Sequence, residues 1–115
     1  MASILYTHAD SFAHEPGQMH PEHPARLKAI LTALSAGEFA ALDRRCAPKA
    51  TVEQIARAHP RDYVEAILEA VPEAGERSID ADTVMSPGTG NALLRSCGAV
   101  CAAVDAVLGG EAQNA

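Results

Sequence analysis

Ser78–Gly110 reads SIDADTVMSPGTGNALLRSCGAVCAAVDAVLGG, an acidic loop running into the most apolar helical pattern of the chain. Leu93, Cys97, Val100, Cys101, Val104, Val107 and Leu108 recur at steps of three and four, which sets them on one helical face. The opposite face is scarcely more polar, being filled by Ala92, Leu94, Gly98, Ala99, Ala102, Ala103 and Ala106. Only Arg95 and Asp105 carry charge between Asn91 and Leu108. A helix apolar nearly all round is normally covered on several sides. At about 1.5 Å per residue it runs roughly 27 Å, too far for so short a chain to wrap. Ser86-Pro87 offers an N-cap followed by proline at the first helical position, with Thr89 as a competing cap, and Gly109-Gly110 ends the helix.

The length of 115 residues suits one domain. Charged residues at 21% and hydrophobic ones at 48% describe a globular class. Aromatic residues make up only 3%, so the core must be built from Ala, Leu, Ile and Val. A net charge of −6 without any Lys/Arg cluster argues against nucleic acid as a partner. Met1–Tyr6 has no leader pattern, and Arg95 and Asp105 argue against a membrane span in the last helix. Cys46, Cys97 and Cys101 are odd in number, which disfavours a disulfide framework and makes a cytoplasmic location the simplest expectation.

Taken from the start, Ser3–Thr7 reads as a buried strand of a parallel sheet. A long polar loop rich in histidine follows, with a turn at Pro16-Gly17. Pro24 opens a helix to Ala36, stopped by Gly37, with Leu27, Ile30, Leu31 and Leu34 as its buried stripe and a possible Glu22–Arg26 pair. Glu38–Asp43 suggests a further helical turn, and Arg45–Ala47 a second strand. Thr51 and Gln54 form a capping box for a helix Thr51–Ala58, and Pro60 starts another that reaches Val71. Glu73–Ser78 reads as a polar connector, which leaves at most two strands beside four or five helices.

Few residues suggest chemistry by themselves. His20 and His23 have the H-x2-H spacing of a metal pair, with Glu22 between them. Each is followed by proline, which favours extended backbone over a shared helical face, so ordering of the loop by hydrogen bonds is the favoured role. Asp80 and Asp82 are either a turn-forming acidic pair or a place where one carboxylate accepts a ligand N–H. Arg26 is either a surface charge, which the residues favour, or a cation facing a buried polar cavity. No nucleophile elbow, phosphate loop or closed catalytic set is present.

Three segments change this picture when taken together: GQMHPEHPARLKAI (17–30), ARAHPRDYVEAI (56–67) and DADTVMSPGTGNALLRSCGAVCAAVDAVLGGEA (80–112). In this order and spacing they resemble the N-terminal third of the histone deacetylase superfamily, especially its bacterial deacetylase-like, acetylpolyamine amidohydrolase and acetoin-utilisation members. The resemblance implies an α/β arginase/deacetylase-like parallel-sheet fold, with the present segment helix-rich and holding one or two short strands. It implies that residues 1–115 are an incomplete N-terminal segment of a single domain, inactive alone. It also implies hydrolysis of N-acetyl amides by zinc bound to two Asp and one His, with a histidine pair and a Tyr as further catalytic groups. In the family the histidine pair lies in an R-P-P-G-H-H-type stretch, here expected beyond Ala115, so no catalytic residue and no bound metal is expected in this chain.

Carried over residue by residue, the resemblance puts the His8–Pro24 loop, with His20 and Glu22, at the active-site rim. Arg26 matches an arginine lining an internal cavity, and Asp82, or else Asp80, matches a rim residue that binds the substrate amide. His59 and Tyr63 match a packing motif. The partners implied are a small acetylated substrate and the remainder of the domain, or a second copy forming a homo-oligomer. The alternatives are a short non-catalytic interaction or regulatory module and a small metal binder using His20 and His23.

Overall fold

Residues 2–115 are described by a computed structural model. Strand β1 (Ile4–Thr7) pairs in parallel with β2 (Asp43–Cys46), Ile4 lying opposite Asp43 and Thr7 opposite Cys46. The parallel pairing expected of the first strand is present, and the second strand begins two residues earlier than its sequence suggests. Between them, a 3-10 turn (Ala9–Ala13) and helix α1 (Pro24–Ala33) fill the loop and its exit. The 3-10 turn has no counterpart in the sequence reading. A second such turn, Gly37–Phe39, stands where a helical turn was expected at Glu38–Asp43.

Helix α1 ends three residues early. Its Leu34 carbonyl is taken by the Arg44 guanidinium, and Ser35 Oγ donates to Thr32 O at 2.6 Å, so the last turn closes locally instead of running to Gly37. Of its apolar stripe, Ile30 is 49% exposed and the other three are half-buried. Helix α2 (Val52–Ile55) is shorter than expected but carries the capping box, Thr51 Oγ1 accepting from Gln54 N–H and Gln54 Oε1 from Thr51 N–H. Helix α3 (Arg61–Glu69) follows Pro60 and buries Val64, and Arg61 ties it back to Glu53 of α2 at 2.7 Å.

A two-stranded antiparallel ribbon, β3 (Arg77–Ser78) with β4 (Val84–Met85), replaces the expected connector and acidic loop. The described residues thus hold four strands, not two. Helix α4 (Thr89–Leu108) starts later than a Ser86 cap would place it. The Ser86 hydroxyl instead donates to Ala13 O and accepts from Glu15 N–H, which draws it into the first loop.

Helix α4 lies antiparallel to the strands. Near its start Arg95 bonds Asp10 and the Ala47 carbonyl, just beyond the C-terminal ends of β1 and β2. Near its end Ala106 packs with Ala112 and Ile4, at the start of β1. At mid-helix Gly98 touches the Pro48–Ala50 backbone. Its 20 residues are long and apolar enough to cross a membrane by length and composition alone. Few large side chains are buried: Ile4, Val64 and Met85 are accompanied mainly by alanines.

Candidate functional site

The acidic tetrapeptide Asp80–Thr83 sits at the tip of the β3–β4 ribbon, which is closed by Ile79 N–H donating to Thr83 O at 2.8 Å. Asp80 turns inward and its Oδ1 accepts the Asp82 N–H at 2.8 Å. That bond, joined by the Thr83 side chain and backbone, lowers the Asp80 carboxyl below its ordinary value. Asp80 is therefore the turn-forming member of the pair. The Asp82 carbonyl is held from the other side by His20 Nε2 at 2.8 Å. With N–H and C=O both fixed, the Asp82 carboxylate has no partner among the described residues.

His20 can hold Asp82 because of its own turn. Its Nδ1 accepts the Glu22 N–H at 3.1 Å, so the ring proton lies on Nε2 and is donated to the Asp82 carbonyl. His8 and His23 make the same local bond two residues on, to Asp10 N–H and Ala25 N–H at 3.0 and 3.1 Å. Pro16-Gly17 supplies the expected turn, with His20 N–H donating to Gly17 O. Together these bonds form a shallow groove of about 630 Å³ lined by Gly17, Met19, His20, Pro21, Ala81 and Asp82. Met19 stands 95% exposed at its edge.

Glu22 does not pair with Arg26; its carboxylate meets His14 Nε2 at 2.9 Å. His14 Nδ1 in turn lies 2.7 Å from the Thr89 hydroxyl. Thr89 Oγ1 already accepts the Ser86 N–H, so its own proton is free for His14 Nδ1, and the imidazole Nε2–H donates to the Glu22 carboxylate. This chain from helix start to the first loop was not singled out in the sequence. His14 and Thr89 are 75 residues apart and no local pattern joins them.

Arg26 lies exposed on the first turn of α1, bordering a groove of about 480 Å³ between α1 and α4 with His14, His23, Leu27, Leu93 and Cys97. The rings of His59 and Tyr63 lie tilted by 36° with centres 6.0 Å apart, and both residues are exposed. Burial raises the Cys97 thiol above its ordinary value, which disfavours a reactive thiolate. Among the described residues no three His, Cys, Asp or Glu side chains converge as metal ligands. His8, His14, His20 and His23 all spend Nδ1 on hydrogen bonds within the chain. The residues present therefore do not fit a zinc site, and no step through zinc follows from them. What the ribbon tip can do is present one unpartnered carboxylate, on a fixed backbone, to an N–H donor.

A family model described as histone deacetylase domain matches residues 20–115. The chain is 41% identical over 95 residues to a histone deacetylase-like amidohydrolase of Pseudomonas aeruginosa, which covers 83% of this chain and 24% of that protein. It is 31% identical over 102 residues to histone deacetylase 8 of Arabidopsis thaliana, covering 83% of this chain and 27% of the relative. An uncharacterized protein of Synechocystis is 37% identical over 91 residues, covering 76% and 29%. The chain thus spans about a quarter of the length of the curated relatives it matches. The crystal structure of the HDA15 HD domain superposes with a TM-score of 0.82 at 18% identity, over 96% of this chain and 33% of that one. The last likeness shows the arginase/deacetylase fold.

Proposed function

Because the chain belongs to the histone deacetylase family, we propose that it forms the rim and scaffold of a zinc-dependent hydrolase of N-acetyl amides. The substrates would be of acetyl-lysine or acetylpolyamine type, and the zinc ligands would come from outside these residues. In this reading the Asp82 carboxylate accepts the substrate amide N–H. Its backbone is held by Asp80 and His20 while its side chain is left free, and that contrast carries the assignment. The fixed backbone sets where the carboxylate can reach, which is how a binding group helps to orient a substrate. Glu22 keeps the rim loop on the start of α4 through His14, and Arg26 faces the groove behind the rim.

The chain alone is inactive in this reading, and its partner is further polypeptide of the same domain or a second copy. The three free cysteines suit the cytoplasm. The second reading, an interaction module without catalysis, draws support from the exposed stripe Val100, Val104 and Leu108 on α4.

The test has two parts. The 115-residue protein with added zinc is assayed on an acetyl-lysine peptide; turnover that a chelator abolishes would overturn the claim of inactivity. In parallel, millimolar N-acetyl-lysine methylamide is titrated while amide resonances at the ribbon tip are followed. Shifts at Asp82 that vanish in Asp82→Ala, with the fold retained, are expected. Equal shifts in the variant would remove Asp82 from the rim role.

A further inference from the structure

Two chains of hydrogen bonds meet at Glu22. Its carboxylate accepts from His14 Nε2 at 2.9 Å, and its backbone N–H donates to His20 Nδ1 at 3.1 Å. On one side of it, Ser86 N–H donates to Thr89 Oγ1 and the Thr89 hydroxyl to His14 Nδ1. On the other, His20 Nε2 donates to the Asp82 carbonyl at 2.8 Å. Ser86 directly follows β4 and Asp82 stands two residues before it, so the path returns to the ribbon where it began. It is a closed ring through the start of α4, the first loop and the ribbon tip.

That ring holds a segment with little else to hold it. None of residues 17–23 is buried, so packing does not fix them. Within the segment, His20 N–H turns back to Gly17 O and His23 N–H to His20 O, and His23 serves α1 through Ala25 N–H. Among the described residues, two hydrogen bonds tie it to the rest of the molecule: Glu22 to His14 and His20 to Asp82. The second is exposed, and one exposed hydrogen bond offsets little of the freedom a loop loses on ordering. The first supplies the missing anchor. The His14 side chain is only 21% exposed and is fixed to Thr89, and the Glu22 N–H it places sets the His20 ring. By occupying Nδ1, that N–H also puts the ring proton on Nε2, where it reaches the Asp82 carbonyl.

We infer that His14 and Glu22 are positioning residues for Asp82, acting through His20, whose Nε2–H they hold on the Asp82 carbonyl. This rests on the reading that Asp82 receives the substrate amide, and it adds how that receiver is kept in place. Neither residue touches the substrate in this role.

The test compares Glu22→Ala and Glu22→Gln in the 115-residue protein. Glutamine keeps a side-chain oxygen for His14 Nε2–H and alanine does not, while both keep the backbone N–H to His20. Glu22 is 55% exposed, so neither change removes much packing, and unshifted amides in α3 report a retained fold. The readouts are the ring-nitrogen resonances of His20 and the affinity of Asp82 for N-acetyl-lysine methylamide. With alanine, the His20 ring is expected to pass from a single Nε2–H tautomer to an averaged pair. Probe affinity is expected to fall about threefold to tenfold, the scale of one lost hydrogen bond. Glutamine should restore both, and His14→Phe should act like Glu22→Ala, with no further loss in the double variant. An unchanged His20 ring in Glu22→Ala overturns the role, as does glutamine behaving like alanine. A freed ring with unchanged probe affinity overturns it too, because Asp82 would not depend on the hold. The ring signal needs no ligand. Probe shifts absent from every protein while the ring responds would therefore sink the substrate reading and leave the hold on Asp82 standing.

Discussion

At the scale of single residues, the decision between Asp80 and Asp82 shows what a sequence can carry. Two aspartates two apart announce a turn or a ligand, and only the direction of one N–H shows that Asp80 makes the turn. The same holds for Ser86, a good cap by type, whose hydroxyl is drawn to Ala13 and Glu15 over 70 residues away. Gly98 was legible only as one small residue among many on α4. A Cβ there would lie 1.9 Å from Pro48 O and 2.8 Å from Ala50 N, both backbone atoms that cannot swing aside. Gly98→Ala is therefore expected to destabilise by about 2 kcal/mol or more despite alanine's better helix propensity. Urea unfolding checks this, and an unchanged midpoint would mean that the helix is not seated on Pro48–Ala50. Asp10 supplies a pH dependence. The Arg95 hydrogen bond lowers its carboxyl below the ordinary 3.8, so the folded state binds this proton less readily than the unfolded chain. The stabilisation is complete above 3.8 and is lost as pH falls through the lower folded value. Asp10→Asn should flatten that part of the acid limb, leaving the contributions of Glu53 and Asp80, whose carboxyls are lowered in the same sense.

At the scale of elements, local signals were legible and distant ones were not. The β-branched start, the proline-opened α1 and the Thr51–Gln54 box depend on neighbours within four residues, and all are present. The 3-10 turn at Ala9–Ala13 is held by Arg95 of α4 on Asp10, and the ribbon has only two residues per strand, too few for an alternating pattern. The end of α4 was legible because Gly110 has a positive φ of 78° that other residues resist. Nothing lies within 4 Å of a Cβ built there, so Gly110→Ala tests backbone strain alone. A loss of about 1 kcal/mol is expected, with faster exchange at Glu111 and Ile4 as the tail lifts from β1. Unchanged exchange at Ile4 would separate the turn from the placement of the tail.

At the scale of the whole molecule, the chain exposes more than its size requires. Its accessible surface is 7340 Å², against roughly 6,000 Å² expected for a folded monomer of this mass. Its radius of gyration is 15.5 Å, where a domain this long would have about 13 Å. Part of it lies where the sequence pattern anticipated it, on a helix with too little chain to cover it. Val100, Val104 and Leu108 are 64%, 50% and 83% exposed in one line along α4. An uncovered apolar line of this kind favours association in water. The protein is expected to self-associate at micromolar concentration by sedimentation, and the double variant Val104→Lys/Leu108→Lys to shift it towards monomer. Both sites are exposed, so each substitution should cost within about 0.5 kcal/mol of stability, and the effect would report the surface and not unfolding. Tyr63→Lys on α3, also exposed at 53%, serves as the control and should leave association unchanged. If the double variant assembles like the parent, α4 is not the sticky face.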